Sequence, residues 1–198
     1  MNYLSADKIL DLHKVSSNNN ITLFNIVYTH SSIIRDISLK IAENLKVDKN
    51  LIIIGAMLHD IGVYNCFNKK FEKIKPYITH GDEGYKILLQ KKLPQNILNF
   101  TIHHTGVGIT KKEIEEKKIP ISKKDHIPQN IEERIVLYAD KFHSKTDGFL
   151  SFNEIQNTIS KFGDDKLKIL NNLKKEFKVP EIKDIILKYK DYGKEWNI

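Results

Sequence analysis

Leu51 to Leu58 form an almost wholly apolar run that ends directly on His59-Asp60-Ile61-Gly62. A surface helix carries one apolar stripe, whereas a helix apolar all round is buried on nearly every side. The run therefore predicts a central helix with the rest of the chain packed around it. Its end is the unusual part. A carboxylate at a buried helix end is costly unless a cation or a metal pairs with it. His59 places a second metal-ligand type beside Asp60. Gly62 is read as the residue that lets the helix stop.

The segments around this run also read as helix. Ala6 to Val15 is short and amphipathic, and residues 16–20 are a polar break. From about Asn25 to Lys46, apolar residues recur at three- and four-residue steps through Ile26, Ile33, Ile37 and Ile41. Asp48 is placed to cap the central helix. Val63 to Pro76 reads as a Lys- and Phe-rich loop with room for a short helix. Thr79, with Asp82 three residues on, resembles a capping-box start for a helix to about Lys91. Pro94 opens the next helix, expected to end near Gly106. Thr110 to Lys117 is a short charged helix, and Ile119 to Asn130 an irregular excursion. Ile131 to about Lys145 reads as one strong helix. Asn153 to Lys161, Asp164 to Lys178 and Pro180 to about Tyr192 complete the chain. No strand is expected. The fold class is all-α: one domain over residues 1–198, with a core at about 25–146 and C-terminal helices at 150–192 packed on it.

With 198 residues the chain can bury a real core. Its 40% hydrophobic and 29% charged content is that of a soluble globular protein. No apolar run reaches the roughly 18 residues of a membrane span, so no membrane partner is expected. The N-terminus lacks the order of a signal peptide. The single cysteine, Cys66, allows no internal disulfide and fits a reducing compartment, so a cytoplasmic location is expected. The net charge is +7, and all but Arg35 and Arg134 of the 32 basic residues are lysine. A basic surface attracts phosphorylated substrates. The lysines form no compact patch interleaved with aromatics, which argues against nucleic acid as a partner.

Several histidines share helix faces with apolar residues. His30 lies in the stripe of Ile33, Ile34 and Ile37. His80 points inward from a first helical turn. His104 follows Phe100 by four residues and Ile97 by seven, whereas His103 aligns with Asn96 and Asn99. Asp140 follows Val136 by four. A lone inward histidine is more often a hydrogen-bonded core residue than a ligand. His30, His59, Asp60, His80, His104 and Asp140 together are different. Unpaired, six such groups would cost more than a domain's marginal stability, and a metal centre satisfies them together. Mixed nitrogen and oxygen ligation suits Fe, Mn, Zn, Co or Ni. His13 reads as a surface-helix residue and His126 as part of the excursion; His143, three residues after Asp140, could approach the same site but reads nearer structural or solvated.

The order His30, His59-Asp60, Asp140 resembles the signature of the HD-domain metal-dependent phosphohydrolases, and His59-Asp60-Ile61-Gly62 matches the form that names the HDIG subgroup. Thr79-His80-Gly81 and His103-His104-Thr105-Gly106 resemble the members with two metals. The resemblance implies an HD-domain helical bundle. It implies one metal held by His30, His59, Asp60 and Asp140, and a second, bridged by Asp60, held by His80 and His104. Two divalent transition-metal ions are expected, with Fe or Mn first and Zn, Co or Ni as alternatives.

The implied activity is hydrolysis of a phosphomonoester, phosphodiester or phosphoanhydride of a small nucleotide-like molecule by metal-activated hydroxide. Asp60 and Asp140 are the expected catalytic carboxylates. Arg35 is the expected phosphate contact, with an ion pair to Asp36 or Glu43 as its alternative. Lys141 reads as solvated, because an ideal helix turns it some 100° from Asp140. Lys69, Lys70, Lys73 and Lys75 form a charge run that could guide an anion. Gly106, Gly108 and the excursion to Asn130 read as a mobile rim. Many relatives carry Lys after the HDIG glycine. Val63 stands there in this chain, and the Gly-Tyr-Pro pattern of the cyclic-di-GMP branch is missing, so cyclic-di-GMP is disfavoured. Two other functions share the pattern: a di-iron oxygenase with the same ligands, and a non-catalytic sensor that keeps the fold.

Overall fold

The computed structural model describes residues 4–191. Ten helices run in the order α1 (Ala6–Ser16), α2 (Ile21–Ile41), α3 (Lys49–Leu58), α4 (His80–Gln90), α5 (Gln95–His103), α6 (Lys111–Glu116), α7 (Ile131–Asp140), α8 (Phe152–Ser160), α9 (Asp164–Phe177) and α10 (Lys183–Lys188). Short 3-10 turns cover Ile61–Cys66 and Tyr77–Thr79. One two-residue hairpin pairs β1 (His143–Ser144) antiparallel with β2 (Gly148–Phe149). Among the described residues, the fold is all-α apart from that hairpin.

Helix α3 is the apolar run, and its Asp48 cap accepts from the Leu51 N–H. It lies between two apolar clusters. One joins Ile34 and Ile37 of α2, Ala56 of α3 and Tyr138 of α7 to Leu170 and Phe177 of α9. The other joins Ile9 of α1, Val27 of α2 and Leu58 of α3 to Leu88 of α4 and Leu98 of α5. Fully burying each large aliphatic side chain contributes about 1.5–3 kcal/mol, so α3 is held from both sides and its end is fixed in space.

Four expectations need correction. Helix α2 starts earlier and stops earlier than the apolar period suggests, because the Asn20 side chain caps it by accepting from Leu23 N–H and the chain turns after Ile41. Thr79 does not form a capping box. Its hydroxyl donates back to the Pro76 carbonyl, and Asp82 instead accepts from the Ser122 backbone and hydroxyl at 2.6 and 2.7 Å. Helix α7 stops at Asp140, not Lys145. The Ser144 hydroxyl accepts from the N–H groups of Thr146 and Asp147, and Gly148 takes φ +75°. That local turn chemistry competes with the helix and produces the strands the sequence reading did not expect. Finally, α10 is six residues long, and the expected helix end at Tyr192 lies outside the described residues.

Gly62 also has a different job from the one expected. It sits inside the 3-10 turn with the N-terminus of α4 packed against it. A Cβ there would lie 2.0 Å from the His80 carbonyl oxygen and 2.2 Å from the Gly84 nitrogen. The glycine lets the segment after Asp60 touch the helix that carries His80.

Candidate metal centre

Five segments converge on one buried point. Helix α2 brings His30, the end of α3 brings His59 and Asp60, and α4 begins on His80. His104 caps α5, and Asp140 closes α7. All but Asp140 are buried, and the Asp140 side chain is 14% exposed. The six residues that the helix-face pattern singled out are thus brought together.

The geometry divides them into two groups that share Asp60. Ligand atoms of His30, His59, Asp60 and Asp140 lie within 4.8 Å of one another, as do those of Asp60, His80 and His104. Asp60 Oδ2 is 3.3 Å from His30 Nε2 and 3.4 Å from His59 Nε2. Asp60 Oδ1 faces the other way, 3.4 Å from His80 Nε2 and 3.3 Å from His104 Nε2. Asp140 Oδ1 completes the first group, 3.1 and 3.4 Å from the Nε2 atoms of His30 and His59.

The outer nitrogens fix how these rings present themselves. Nδ1 of His59 bonds the Ala56 carbonyl, Nδ1 of His80 the Tyr77 carbonyl, and Nδ1 of His104 the Phe100 carbonyl. A carbonyl only accepts, so each Nδ1 carries a proton and each Nε2 of the neutral ring aims a lone pair inward. The Nε2 atoms of His80 and His104 approach to 2.8 Å. Two facing lone pairs beside a carboxylate need a cation. His59 Nε2 is also buried with no hydrogen-bond partner. The residues present fit a metal.

The electrostatics agree. Burial holds His80 neutral, down to about 4, and also lowers His104. Burial opposes ionisation of Asp60 as well, but Lys145 and His59 overcome it and hold the carboxyl well below the usual range. Asp140 is held low against burial by Lys141 and by bonds from His30 and His59. For His59, burial is outweighed by Asp60 and Asp140, which raise its pKa. A proton and a metal ion are alternative answers to those two carboxylates.

Lys145 escaped the sequence reading, which favours structural or solvated roles for His143 and Lys141. Lys145, on the turn between β1 and β2, places its ammonium against Asp60 Oδ2. His143 Nδ1 bonds His30 Nδ1 at 2.9 Å and orients that ring. Lys141 is not solvated: it bonds Asp140 Oδ2 at 2.9 Å and the His104 carbonyl at 3.2 Å. Both lysines reach the site because α7 ends at Asp140, so an ideal-helix angle does not apply to them. The turn-forming run Ser144-Lys145-Thr146-Asp147-Gly148 was the available signal.

Arg35, by contrast, is not brought into the cluster. Its guanidinium pairs with Asp36, which also holds Lys188 and Tyr189. His103 bonds the buried Glu133 at 2.7 Å and stands apart from the six. His13 is buried rather than on a surface face, between the Tyr64 hydroxyl and the Met57 carbonyl. His126 is buried against Ser122.

Two clefts open beside the centre, sharing Tyr77, Asp140 and Lys145. The smaller, about 300 Å³, reaches Asp60, His80, His104 and Lys141. The larger, about 520 Å³, has His30 and His143 near Asp140 and runs out past Phe67 and Phe71. Lys73 lines the larger cleft, while Lys75 is paired with Glu83. The expected rim is tied down: Lys166 bonds the Gly108 carbonyl, and Ile109 pairs with His126.

The profile of the HD domain family matches residues 27–145, and the chain belongs to that family. It is 32% identical over 119 residues to a tRNA (cytidine(56)-2'-O)-methyltransferase of Picrophilus torridus, covering 60% of this chain and 32% of that protein. A tRNA (cytidine(56)-2'-O)-methyltransferase of Thermoplasma volcanium is 30% identical over 111 residues, 56% of this chain and 30% of its own length. An uncharacterized protein of Methanocaldococcus jannaschii is 33% identical over 117 residues, 59% of this chain and 60% of its own length. The matched segment thus spans about a third of the methyltransferases. Among solved structures, the HD domain of the L. monocytogenes phosphodiesterase PgpH is similar, with a TM-score of 0.48 and 18% identity over 75% of this chain and 89% of that one. Among the described residues, no helix is long and apolar enough to cross a membrane.

Proposed function

We propose that the chain is a metal-dependent phosphohydrolase of the HDIG type, with a dinuclear centre, acting on a small nucleotide-like phosphate ester or anhydride. The observation that carries this reading is Asp60, whose two oxygens each face a separate pair of histidines. His30, His59, Asp60 and Asp140 would hold one cation; Asp60, His80 and His104 would hold the other. The donor set suits Fe or Mn, with Zn, Co or Ni as alternatives. Residues 1–198 are taken as one HD domain built on a core at about 25–146.

Divalent cations held there supply charge neutralisation at phosphorus and acidify water. The chain's own residues do the rest. Lys145 and Lys141 face the smaller cleft and offer positive charge to phosphoryl oxygens. They take the part the sequence reading gave to Arg35, which is committed to Asp36. Asp140 lines both clefts and is placed to accept a proton from the attacking water. The donor set suits cation binding and phosphoryl chemistry, so the methyl transfer named for the longer relatives is not assigned to this chain.

The test is anaerobic purification with metal analysis, then phosphate release from nucleotides, dinucleoside polyphosphates and phosphomonoesters. Two metals per chain are expected. Asp60→Asn is expected to weaken both sites and lower activity on the order of 10³-fold, the scale of losing a main electrostatic stabiliser. His80→Ala is expected to leave one metal. A wild-type chain saturating at one metal sinks the dinuclear reading. Oxygen consumption without phosphate release from a fully loaded chain favours the oxygenase instead.

A further inference from the structure

The larger cleft has a wall that metal chemistry does not require. The 3-10 turn after Asp60 leads into a tight loop in which Phe67 pairs with Lys73. Asn68 organises it: its side-chain oxygen accepts from the N–H groups of Lys70 and Glu72, and its amide donates to Glu72. Below, Ile74 N–H bonds the Cys66 carbonyl at 2.9 Å. At the tip, Phe71 adopts φ +63°. A bulky side chain in the left-handed region is a conformational outlier, and such outliers concentrate at ligand clamps. Glycine or asparagine would sit there without strain. The loop carries a phenyl ring instead, and that ring lines the cleft.

The rest of the cleft suits a flat apolar guest. Val63 and Ile26 line it together with Phe67 and Phe71, and Asp140 and His143 mark its metal-centre side. Phe67 is not stacked on Tyr77, since the rings are 6.4 Å apart and tilted by 60°. A volume of about 520 Å³ lies within the range of small-molecule sites, roughly 300–1,000 Å³. Lys141 lines the smaller cleft, Lys145, against Asp60, lines both, and Lys73 lines the larger. Anionic oxygens are therefore favoured beside the centre, and an aromatic face along the wall of Phe67 and Phe71.

We infer that the larger cleft seats a planar aromatic ring, such as a nucleobase, on the organic part of the substrate, gripped by Phe71 and Phe67. This rests on the phosphohydrolase reading only for the placement of the phosphate. Val63 belongs to the same design, because an apolar residue lines the ring's seat.

The probes are the 5′-phosphonate analogues of adenosine monophosphate and of ribose 5-phosphate, in which CH₂ replaces the ester oxygen. They differ only in the base and resist hydrolysis. Each is titrated calorimetrically into the full chain with its metal bound. The base-bearing analogue is expected to bind about tenfold more tightly, the scale of one stacked base. Phe71→Gly and Phe71→Asn both tolerate the backbone of the tip. Each is expected to bring the ratio to about threefold or less, with the affinity for the ribose analogue unchanged. Equal affinity of the wild-type chain for both analogues, binding of neither, or a parallel loss for both in the variants overturns the seat. Cleavage across the panel of nucleotides, dinucleoside polyphosphates and phosphomonoesters is followed separately. A Phe71-dependent preference without cleavage leaves the seat standing and removes the phosphohydrolase reading alone. Cleavage with no preference does the reverse.

Discussion

At the scale of single residues, Asp60 and Lys145 form the decisive pair. Asp60 was legible because a charge at the end of an apolar helix has few affordable explanations. Lys145 was not, because helical periodicity runs on through it, and only the turn after Asp140 brings its ammonium to the site. A cation beside a carboxylate opposes a second cation there and favours an anion nearby. Lys145→Met is therefore expected to act in opposite directions: roughly tenfold tighter metal binding and roughly tenfold weaker binding of a phosphate ester, each about 1.4 kcal/mol. Metal titration against a chelator and ester binding at saturating metal read the two effects separately. Changes of the same sign would show that Lys145 acts only through the fold. Gly62 teaches a related lesson. Its presence was legible and its purpose was not, since the close approach of the α4 backbone is a tertiary fact that no local pattern encodes.

At the scale of elements, the site depends on how α4 is tied to the segments before it. Glu83, one turn after His80, accepts from Asn65 in the 3-10 turn, from Lys75 at the end of the loop and from Lys86 in its own helix. Burial opposes its ionisation, but those partners overcome it and hold the carboxyl at about 2. A depressed folded-state pKa means the stabilisation is complete above the unfolded value, near 4.5, and is lost as pH falls from there toward 2. Glu83→Gln is therefore expected to cost about 2 kcal/mol at pH 7, the scale of hydrogen bonds to a charged group. The gap to the wild type should shrink steadily below pH 4.5. Urea unfolding at a series of pH values measures it, and a gap independent of pH would reject the ion-pair account. The helices themselves were largely legible, from apolar period and from the Asp48 cap. Their ends were less so, because Asn20, Thr79 and Ser144 settle them through local side-chain bonds that compete with periodicity.

At the scale of the whole molecule, the C-terminal helices do more than cover the core. Leu170, Leu173 and Phe177 of α9 share an apolar cluster with α2 and α7, which carry His30 and Asp140. From the same helix, buried Lys166 reaches the loop after His104, bonding the Gly108 carbonyl and Glu113 Oε2 at 2.7 Å each. Glu113 in turn caps α6 through Thr110. One ammonium thus joins α9, the rim and α6. Lys166→Met keeps the stem's packing and removes the charge. It leaves a carbonyl and a carboxylate without their shared donor, at a cost of about 2 kcal/mol. For a chain of this size that lowers Tm by roughly 4–8 °C. The proposed metal ligands lie on or at the ends of α2, α3, α4, α5 and α7, so metal content should not change. Hydrogen exchange should instead speed up across residues 105–117 before it does in α2 or α3, since local opening is cheapest where few bonds hold a segment. Scanning calorimetry, metal analysis and exchange on one preparation test all three parts. Uniform acceleration through α3 would show that Lys166 supports the global fold and not the rim.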